Sequence, residues 1–286
     1  MIKPRPGMAL LSALLTLGLV IALASHALWQ GRRTVTAESA ARDAVAGRWL
    51  LDSTIVWAAQ RVREDGLLAT SSDHLGEPWA QPVRNQAPEG VWAGRQAAAG
   101  DDAQARINLL NLIEGASISP VWMSVFIRLF EQFGLPREEL DRLSLSLLRA
   151  SAGTAQAGPA PLMPQRVDDL PWLGLSLTSA AVLKPHLSVL PGRPGLNLNT
   201  AGLAALRAAI DLPEEAARSL IARRQGRPFA TLADAGLSDR ADPALHTVST
   251  RFFEVVVQVR AGSRWTLHSR ALLQRQGGEV RVLWRA

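Results

Sequence analysis

The chain has 286 residues, 48% of them hydrophobic, and no cysteine. That length suffices for one large core or two ordinary ones, and the composition excludes disulfide frameworks, thiolate metal sites, cysteine nucleophiles and lipid-modified cysteine anchors. The formal net charge is +6 but only Lys3 and Lys184 are lysines, so the excess is arginine-borne, as in a GC-rich genome, and nucleic acid is not an expected partner.

Residues 1–7, Met-Ile-Lys-Pro-Arg-Pro-Gly, form a short basic leader, and Met8 to Trp29 then runs 22 residues without a formally charged side chain. That is the length of a bilayer-spanning helix. Ser12, Thr16 and Ser25 are tolerable there because hydroxyls bond back to the preceding turn. Lys3 and Arg5 lie before the span and Arg32 and Arg33 after it, so the positive-inside rule gives no orientation. Two processing schemes are open. Ala22-Leu23-Ala24 before Ser25 fits a secretory cleavage site, which would remove the span. Cleavage between Gly7 and Met8 would instead keep it as an anchor, and a glycine at that junction gives a protease unobstructed access to the backbone. The continuation favours the second scheme. No proline occurs between Pro6 and Pro78, and Val45, Trp49, Ile55, Val56, Ala59 and Val62 share one helical arc, with Asp52 intruding. A helix from Met8 to about Asp65 would be roughly 87 Å long at ~1.5 Å per residue, half in lipid and half on a globular head.

After this helix comes Asp73-His74-Leu75-Gly76-Glu77-Pro78-Trp79-Ala80, in which His74 beside two acids has no further ligand at helical or hairpin spacing and takes a structural role. A strand is expected at Arg106-Ile107-Asn108-Leu109-Leu110-Asn111-Leu112. From Ser119 the spacing of Val121, Trp122, Val125, Phe126, Leu129 and Phe130 predicts a helix closed by Gly134-Leu135-Pro136. Residues 151–165, rich in Ala, Gly and Pro, read as a loop. Leu196-Asn197-Leu198-Asn199-Thr200-Ala201 opens a helix at Leu203 to Ile210, with Asn199 or Thr200 as N-cap, and a second helix runs from Pro213 to Arg224. Residues 196–230 have a helix-hairpin-helix layout, but the turn Ile210-Asp211-Leu212-Pro213-Glu214-Glu215 lacks glycine and carries three acids that would repel phosphate. Arg218, Arg223, Arg224 and Arg227 therefore read as a solvated face. Three antiparallel strands close the chain at Phe252 to Val259, Trp265 to Leu273 and Val280 to Trp284, with turns at Ala261-Gly262-Ser263 and Gln276-Gly277-Gly278.

Lys-Pro-Arg-Pro-Gly followed by Met-Ala-Leu-Leu resembles the leaders of type IV pilins and type II secretion pseudopilins. The segments at 73–80 and 106–112, and Asn197-Leu198-Asn199-Thr200-Ala201 with Arg223-x-x-Gly226-x-Pro228-Phe229, are similar to the K-type minor pseudopilins of type II secretion. Major pilins carry Glu five residues into the mature chain; that place here is Ser12, a departure the K type shares. An ionised carboxylate in hydrocarbon is costly unless a neighbour pairs with it, so a subunit without one suits the first place in a fibre.

The resemblance implies an α+β fold, a pilin-like long N-terminal transmembrane helix packed on an antiparallel sheet with a large inserted all-α domain. The implied division is a prepilin leader (1–7), the transmembrane part of the helix (8–29), the first part of the head (30–112), the helical insertion (113–246) and the C-terminal strands (247–286). It implies cleavage between Gly7 and Met8 by a prepilin peptidase and methylation of the Met8 amine. It further implies an inner-membrane anchor with a periplasmic head, and a place at or near the pseudopilus tip, to initiate or cap assembly in support of export across the outer membrane. The implied partners are other minor pseudopilins of the tip complex, the prepilin peptidase, the inner-membrane assembly platform and inner-membrane lipid.

The family's helical domain carries calcium-linked carboxylates, but the stretch here is Leu140-Asp141-Arg142-Leu143-Ser144-Leu145-Ser146, and the next acids are Asp168 and Asp169. Calcium prefers six to eight oxygen ligands, several of them carboxylates, so no cofactor or metal set is carried over. No phosphate loop, zincin helix or nucleophile elbow occurs and the five histidines are scattered, so no catalytic residues are assigned. The alternative reading is a membrane-tethered helix-hairpin-helix protein for DNA binding or uptake.

Overall fold

The computed structural model describes residues 6–68, 72–86, 95–152, 160–237, 240–261 and 265–286. Most of the basic leader, with Lys3 and Arg5, lies outside these residues, as do 153–159 of the Ala/Gly/Pro-rich loop and residues 262–264 of the first C-terminal turn.

One helix, α1, runs unbroken from Pro6 to Leu67. Proline stands only in its first turn, where the missing N–H costs no intrahelical bond. Beyond it the head sheet has five strands: β1 (Val83–Gln86), β2 (Arg95–Asp102) and the C-terminal β9 (Phe252–Ala261), β10 (Trp265–Gln276) and β11 (Glu279–Arg285). Between β2 and β9 lie the short pairs made by β3 (Ile107–Asn108) with β6 (Leu187–Ser188), β4 (Ile113–Glu114) with β5 (Ser117–Ile118), and β7 (Leu196–Asn197) with β8 (His246–Thr247). The same stretch holds α2 (Pro120–Gln132), α3 (Arg137–Ala152), α4 (Leu177–Leu183), α5 (Leu203–Ile210) and α6 (Glu214–Gly226). The head sheet has the order β1-β2-β9-β10-β11 with every neighbouring pair antiparallel.

Alternation along β9 explains how the sheet takes the helix. Phe253, Val255, Val257 and Val259 are fully buried and pack with Ala271 and Leu273 of β10 against Ile55, Ala58 and Val62 of α1. The β10–β11 turn at Gly277-Gly278 has positive φ at both residues (59° and 84°), the two-residue hairpin that matches strand twist and that glycine alone adopts without strain. Gly100 of β2 is needed for another reason: a Cβ there would sit 2.4 Å from the Trp79 carbonyl oxygen, so its absence lets the turn at 78–80 lie flat on the sheet.

The face of α1 that packs on the head differs from the arc expected in the sequence. Thr54, Ile55, Ala58, Val62 and Asp65 are buried, whereas Val45, Val56 and Trp49, the last 72% exposed, point away from the sheet. An apolar count leaves Thr54 and Asp65 off the inner face. They can be buried because Thr54 Oγ1 donates to the Leu50 carbonyl (2.6 Å) and Asp65 pairs with Arg275 (3.0 Å). Asp52, the intruder on the expected arc, lies at the exposed edge and pairs with Arg285 (2.6 Å).

The strand expected over 106–112 is confined to β3. Asn108 accepts from the Leu110 amide (3.3 Å) and donates to Asn111 Oδ1 (3.0 Å), which turns the chain into a 3-10 helix at Leu109–Leu112. Ile107, Leu109 and Leu112 join the core of the inserted unit. That core is built on Trp122, Phe126, Leu129 and Phe130 of α2, Leu140, Leu143 and Leu147 of α3, and Leu206 of α5. The stop after α2 is the expected one, with Gly134 at φ 62°. At α5, Gly202 is the N-cap and offers no side-chain bond; Asn199 and Thr200 are engaged elsewhere.

Candidate functional site: the anchor helix and the buried polar seam

From Met8 to Trp29 every side chain of α1 is exposed, Met8 at 71%. This is the one stretch among the described residues that is long and apolar enough to cross a membrane. Gly7 lies in the first turn of α1 and Met8 follows it on the same helix. Ser12 Oγ donates to the Ala9 carbonyl (3.0 Å) and Thr16 Oγ1 to that of Ala13 (2.9 Å), so these two hydroxyls are satisfied within the helix, and the span holds no Asp, Glu, Lys or Arg. Just beyond it Ala41, Val45, Ala46 and Trp49 line a shallow apolar groove along α1.

At the C-terminal end of α1 lies a polar seam. Arg275, at the end of β10, donates through Nη1 to Asp65 Oδ2 (3.0 Å) and the Val62 carbonyl (3.4 Å), and through Nη2 to Asp73 Oδ1 and the Thr250 carbonyl (3.1 Å). Its guanidinium also lies 4.9 Å from the Phe253 ring centroid. One half-buried side chain thus joins the last turn of α1, the segment after it, the chain entering β9, and β10. Burial and the nearby Glu77 raise the Asp65 pKa against the opposing pull of Arg275.

A second cluster continues the seam. Asp102, fully buried at the end of β2, accepts from the Gln104 amide (2.7 Å), Asn197 Nδ2 (2.8 Å) and Thr200 Oγ1 (2.6 Å). Asn197 Nδ2 also donates to the Asp73 carbonyl (3.1 Å), and the Arg251 amide donates to Gln104 Oε1 (2.7 Å). Burial pushes the Asp102 carboxyl up to about 6 although these bonds favour its charged form. Asn199 completes the layer: its Nδ2 donates to the Phe229 carbonyl (2.9 Å) and its Oδ1 accepts from the Phe229 amide (2.8 Å). The Asn-Leu-Asn-Thr segment, read in the sequence as a helix cap, is therefore the clasp that holds the inserted unit to the sheet. Because these joints gather at the C-terminal end of α1, the insertion stands on the end of the head away from the lipid-length half of the helix.

Asp65, Asp73 and Glu77 could in principle hold a cation, with one oxygen of each within 4.8 Å of the others. The Arg275 guanidinium lies against the first two, and Glu77 Oε2 accepts from the His74 amide (3.0 Å) and Trp79 Nε1 (2.7 Å), so donor groups of this chain already engage the cluster. His74 shapes the turn, its Nδ1 accepting from the Gly76 amide (3.1 Å). Asp168 pairs with Lys184, and Asp169 accepts from the amides of Gln165 and Arg166 (2.9 Å each). Asp141 lies in α3 and pairs with Arg137 (3.0 Å).

Of the hairpin-region arginines, Arg218, Arg223 and Arg227 are exposed, as expected, and Arg224 is not. Arg224 is half-buried and donates to the carbonyls of Leu198 (2.5 Å) and Ala201 (2.7 Å); Arg223 donates to those of Ala235 (3.1 Å) and Asp234 (2.9 Å). Arg218 pairs with Glu214 (2.6 Å). The departure arises because guanidinium forks satisfy loop carbonyls that no helix or sheet covers, a demand invisible to charge spacing. Asp211 turns the hairpin at φ 58°, and burial lowers the Arg224 pKa to about 10.

No protein-family model matches the chain. Type II secretion system protein K of Pseudomonas aeruginosa (strain PAO1) is 27% identical over 237 residues, covering 74% of this chain and 70% of that protein. Among solved structures, a chain of the GspK-GspI-GspJ complex from the enterotoxigenic Escherichia coli type 2 secretion system superposes with a TM-score of 0.64 at 21% identity, covering 84% of this chain and 95% of that one. The resemblance to the K-type minor pseudopilins of type II secretion therefore holds in sequence and in fold.

Proposed function

We propose that this protein is a minor pseudopilin of a type II secretion system that occupies the tip of the pseudopilus, where it initiates or caps assembly. The observation that carries the tip position is the placement of the inserted unit. It stands on the membrane-distal end of the head, clasped by the bonds of Asn197 and Thr200 to Asp102, where it would obstruct a subunit stacking above. Ser12 supports the same reading, since a subunit with nothing ahead of it has no use for a buried carboxylate in its span.

In this account a prepilin peptidase cuts between Gly7 and Met8, the Met8 amine is methylated, and Met8 to Trp29 anchors the chain in the inner membrane with its head in the periplasm. The exposed groove of Val45, Ala46 and Trp49 then receives the helices of other minor pseudopilins, in keeping with the GspI and GspJ chains that accompany the similar structure. The protein acts by shape and not by catalysis, and without a metal or other cofactor.

The chain has no cysteine, so Trp49→Cys supplies a single thiol. In membranes with the intact secretion system it should cross-link to another minor pseudopilin carrying a cysteine at the equivalent helix level. Labelled protein should appear once per isolated fibre, at an end. Regular spacing along the fibre would overturn the tip position, and absence of any cross-link would overturn the helix interface.

A further inference from the structure

The stretch from Met8 to Trp29 covers roughly 33 Å of helix axis at ~1.5 Å per residue, close to the ~30 Å hydrocarbon thickness of a bilayer. With this stretch centred in the bilayer, Trp29 stands at one boundary and Arg32 and Arg33 lie about 5 Å beyond it, at the level of the lipid phosphates. These arginines are the only formally charged side chains between Met8 and Glu38, and both are exposed. Among the described residues neither forms an ion pair; the next acid along the helix, Glu38, lies against Arg42 (3.5 Å).

Trp29 organises this boundary. The Arg33 guanidinium lies 4.5 Å from the Trp29 ring centroid, one helical turn back, and the His26 ring is 6.2 Å from the same indole. Tryptophan favours the membrane–water interface, so it sets the level at which the guanidinium stacks. A stacked guanidinium keeps its in-plane N–H donors free for an oxygen acceptor.

Two cations on this flank run against the usual charge bias. With the head in the periplasm they lie on the side of the membrane where Lys and Arg are depleted beside spans. Cleavage after Gly7 removes Lys3 and Arg5 from the other flank, so the mature span keeps its flanking arginines on the head side alone. The complement of an unpaired guanidinium pair at this depth is the phosphate diester of an anionic phospholipid, which matches the charge and accepts two bonds from one guanidinium fork. A zwitterionic headgroup brings a cation of its own and answers the pair less well.

We propose, on the reading of α1 as a membrane anchor, that Arg32 and Arg33, with Arg33 braced on Trp29, form a binding site for the phosphate of an anionic phospholipid in the periplasmic leaflet. The bound headgroups fix the height of α1 in the bilayer. They thereby fix the height at which the groove of Val45 and Trp49 meets a neighbouring helix.

The test reconstitutes the full chain in phosphatidylcholine vesicles in 0.1 M salt, with trace spin-labelled phosphatidylglycerol or spin-labelled phosphatidylcholine. Electron spin resonance reads the motionally restricted share of each probe at the protein. The wild type should favour phosphatidylglycerol by about threefold or more, and Arg32→Gln with Arg33→Gln should bring the ratio below about 1.5. Arg42→Gln with Arg48→Gln removes the same charge about 14 Å or more farther along the helix, beyond the ~10 Å screening length, and should leave the ratio unchanged. Leader cations, cut or present, count equally in all three chains. A chain that inserts but shows no preference, or whose preference survives Arg32→Gln with Arg33→Gln, would overturn the proposal and leave the anchor standing. An equal fall in both double variants would also overturn it, since net charge alone would then draw the lipid. A chain that does not float with phosphatidylcholine vesicles would overturn the anchor reading and the proposal with it.

Discussion

Replacing Arg275 with methionine would test the seam where its electrostatics are most demanding. The side chains of Asp65 and Asp73 are about as buried as core residues, and Glu77 lies beside them, so without the guanidinium three carboxyl groups share one dry site. Methionine preserves much of the packing against Phe253 and removes the charge and the bonds to the Val62 and Thr250 carbonyls. Breaking a buried ion pair from one side costs about 3–5 kcal/mol. For a head of this size that corresponds to a fall in melting temperature of roughly 6–20 °C. The assay is thermal and urea unfolding of the detergent-solubilised chain followed by near-ultraviolet circular dichroism at pH 7 and at pH 4.5. The deficit should shrink at the lower pH, because burial and its acidic neighbours already raise the Asp65 pKa and the orphaned carboxylates take up protons. A deficit below about 1 kcal/mol at pH 7, or one independent of pH, would mean that these charges are solvated and the seam is not the joint described here.

Asp102 makes a second pH prediction. Its carboxyl is raised to about 6 by burial, whereas the unfolded chain titrates near 3.8. The folded state therefore holds the proton more tightly, and the Asp102 contribution to stability grows as pH falls through 6 and is lost as pH rises through it. Between pH 7.5 and 5 the gain is about 1 kcal/mol. Asp65 and Asp101 act in the same direction and His186 and His246, lowered by burial, in the opposite one. The measure is consequently the difference in pH slope between the wild type and Asp102→Asn, and equal slopes would contradict the assignment. Gly100→Ala should destabilise by about 2 kcal/mol or more, because its Cβ meets the Trp79 backbone oxygen and not a side chain that can swing away. Equilibrium urea unfolding checks this, and a change under 0.5 kcal/mol would show that the turn at 78–80 moves freely.

The sequence carried the elements whose signal is local. The charge-free run of Met8–Trp29, the proline-free helix that follows it, the spacing of Trp122 to Phe130 with its glycine stop, and the alternation of Phe253, Val255, Val257 and Val259 all appear where their periods place them. What stayed hidden is polar and long-range. Arg275 and Asp65 are 210 residues apart, Asp102 and Asn197 are 95 apart, and no period relates them. Asn199 and Thr200 carried a true signal, that of side chains able to bond backbone or buried groups, but the groups they serve are Phe229 and Asp102 and not the first turn of α5. Likewise Thr54 and Asp65 turn the inner face of α1 away from its apolar arc because tertiary partners satisfy them.

The claim on which the rest stands is that α1 is retained from Met8 onward as a membrane anchor. The most direct measurement is the intact mass and amino-terminal residue of the protein purified from its native membrane. The account predicts a chain that begins at N-methylated Met8 and fractionates with the membrane, and a soluble chain that begins at Ser25 would contradict it.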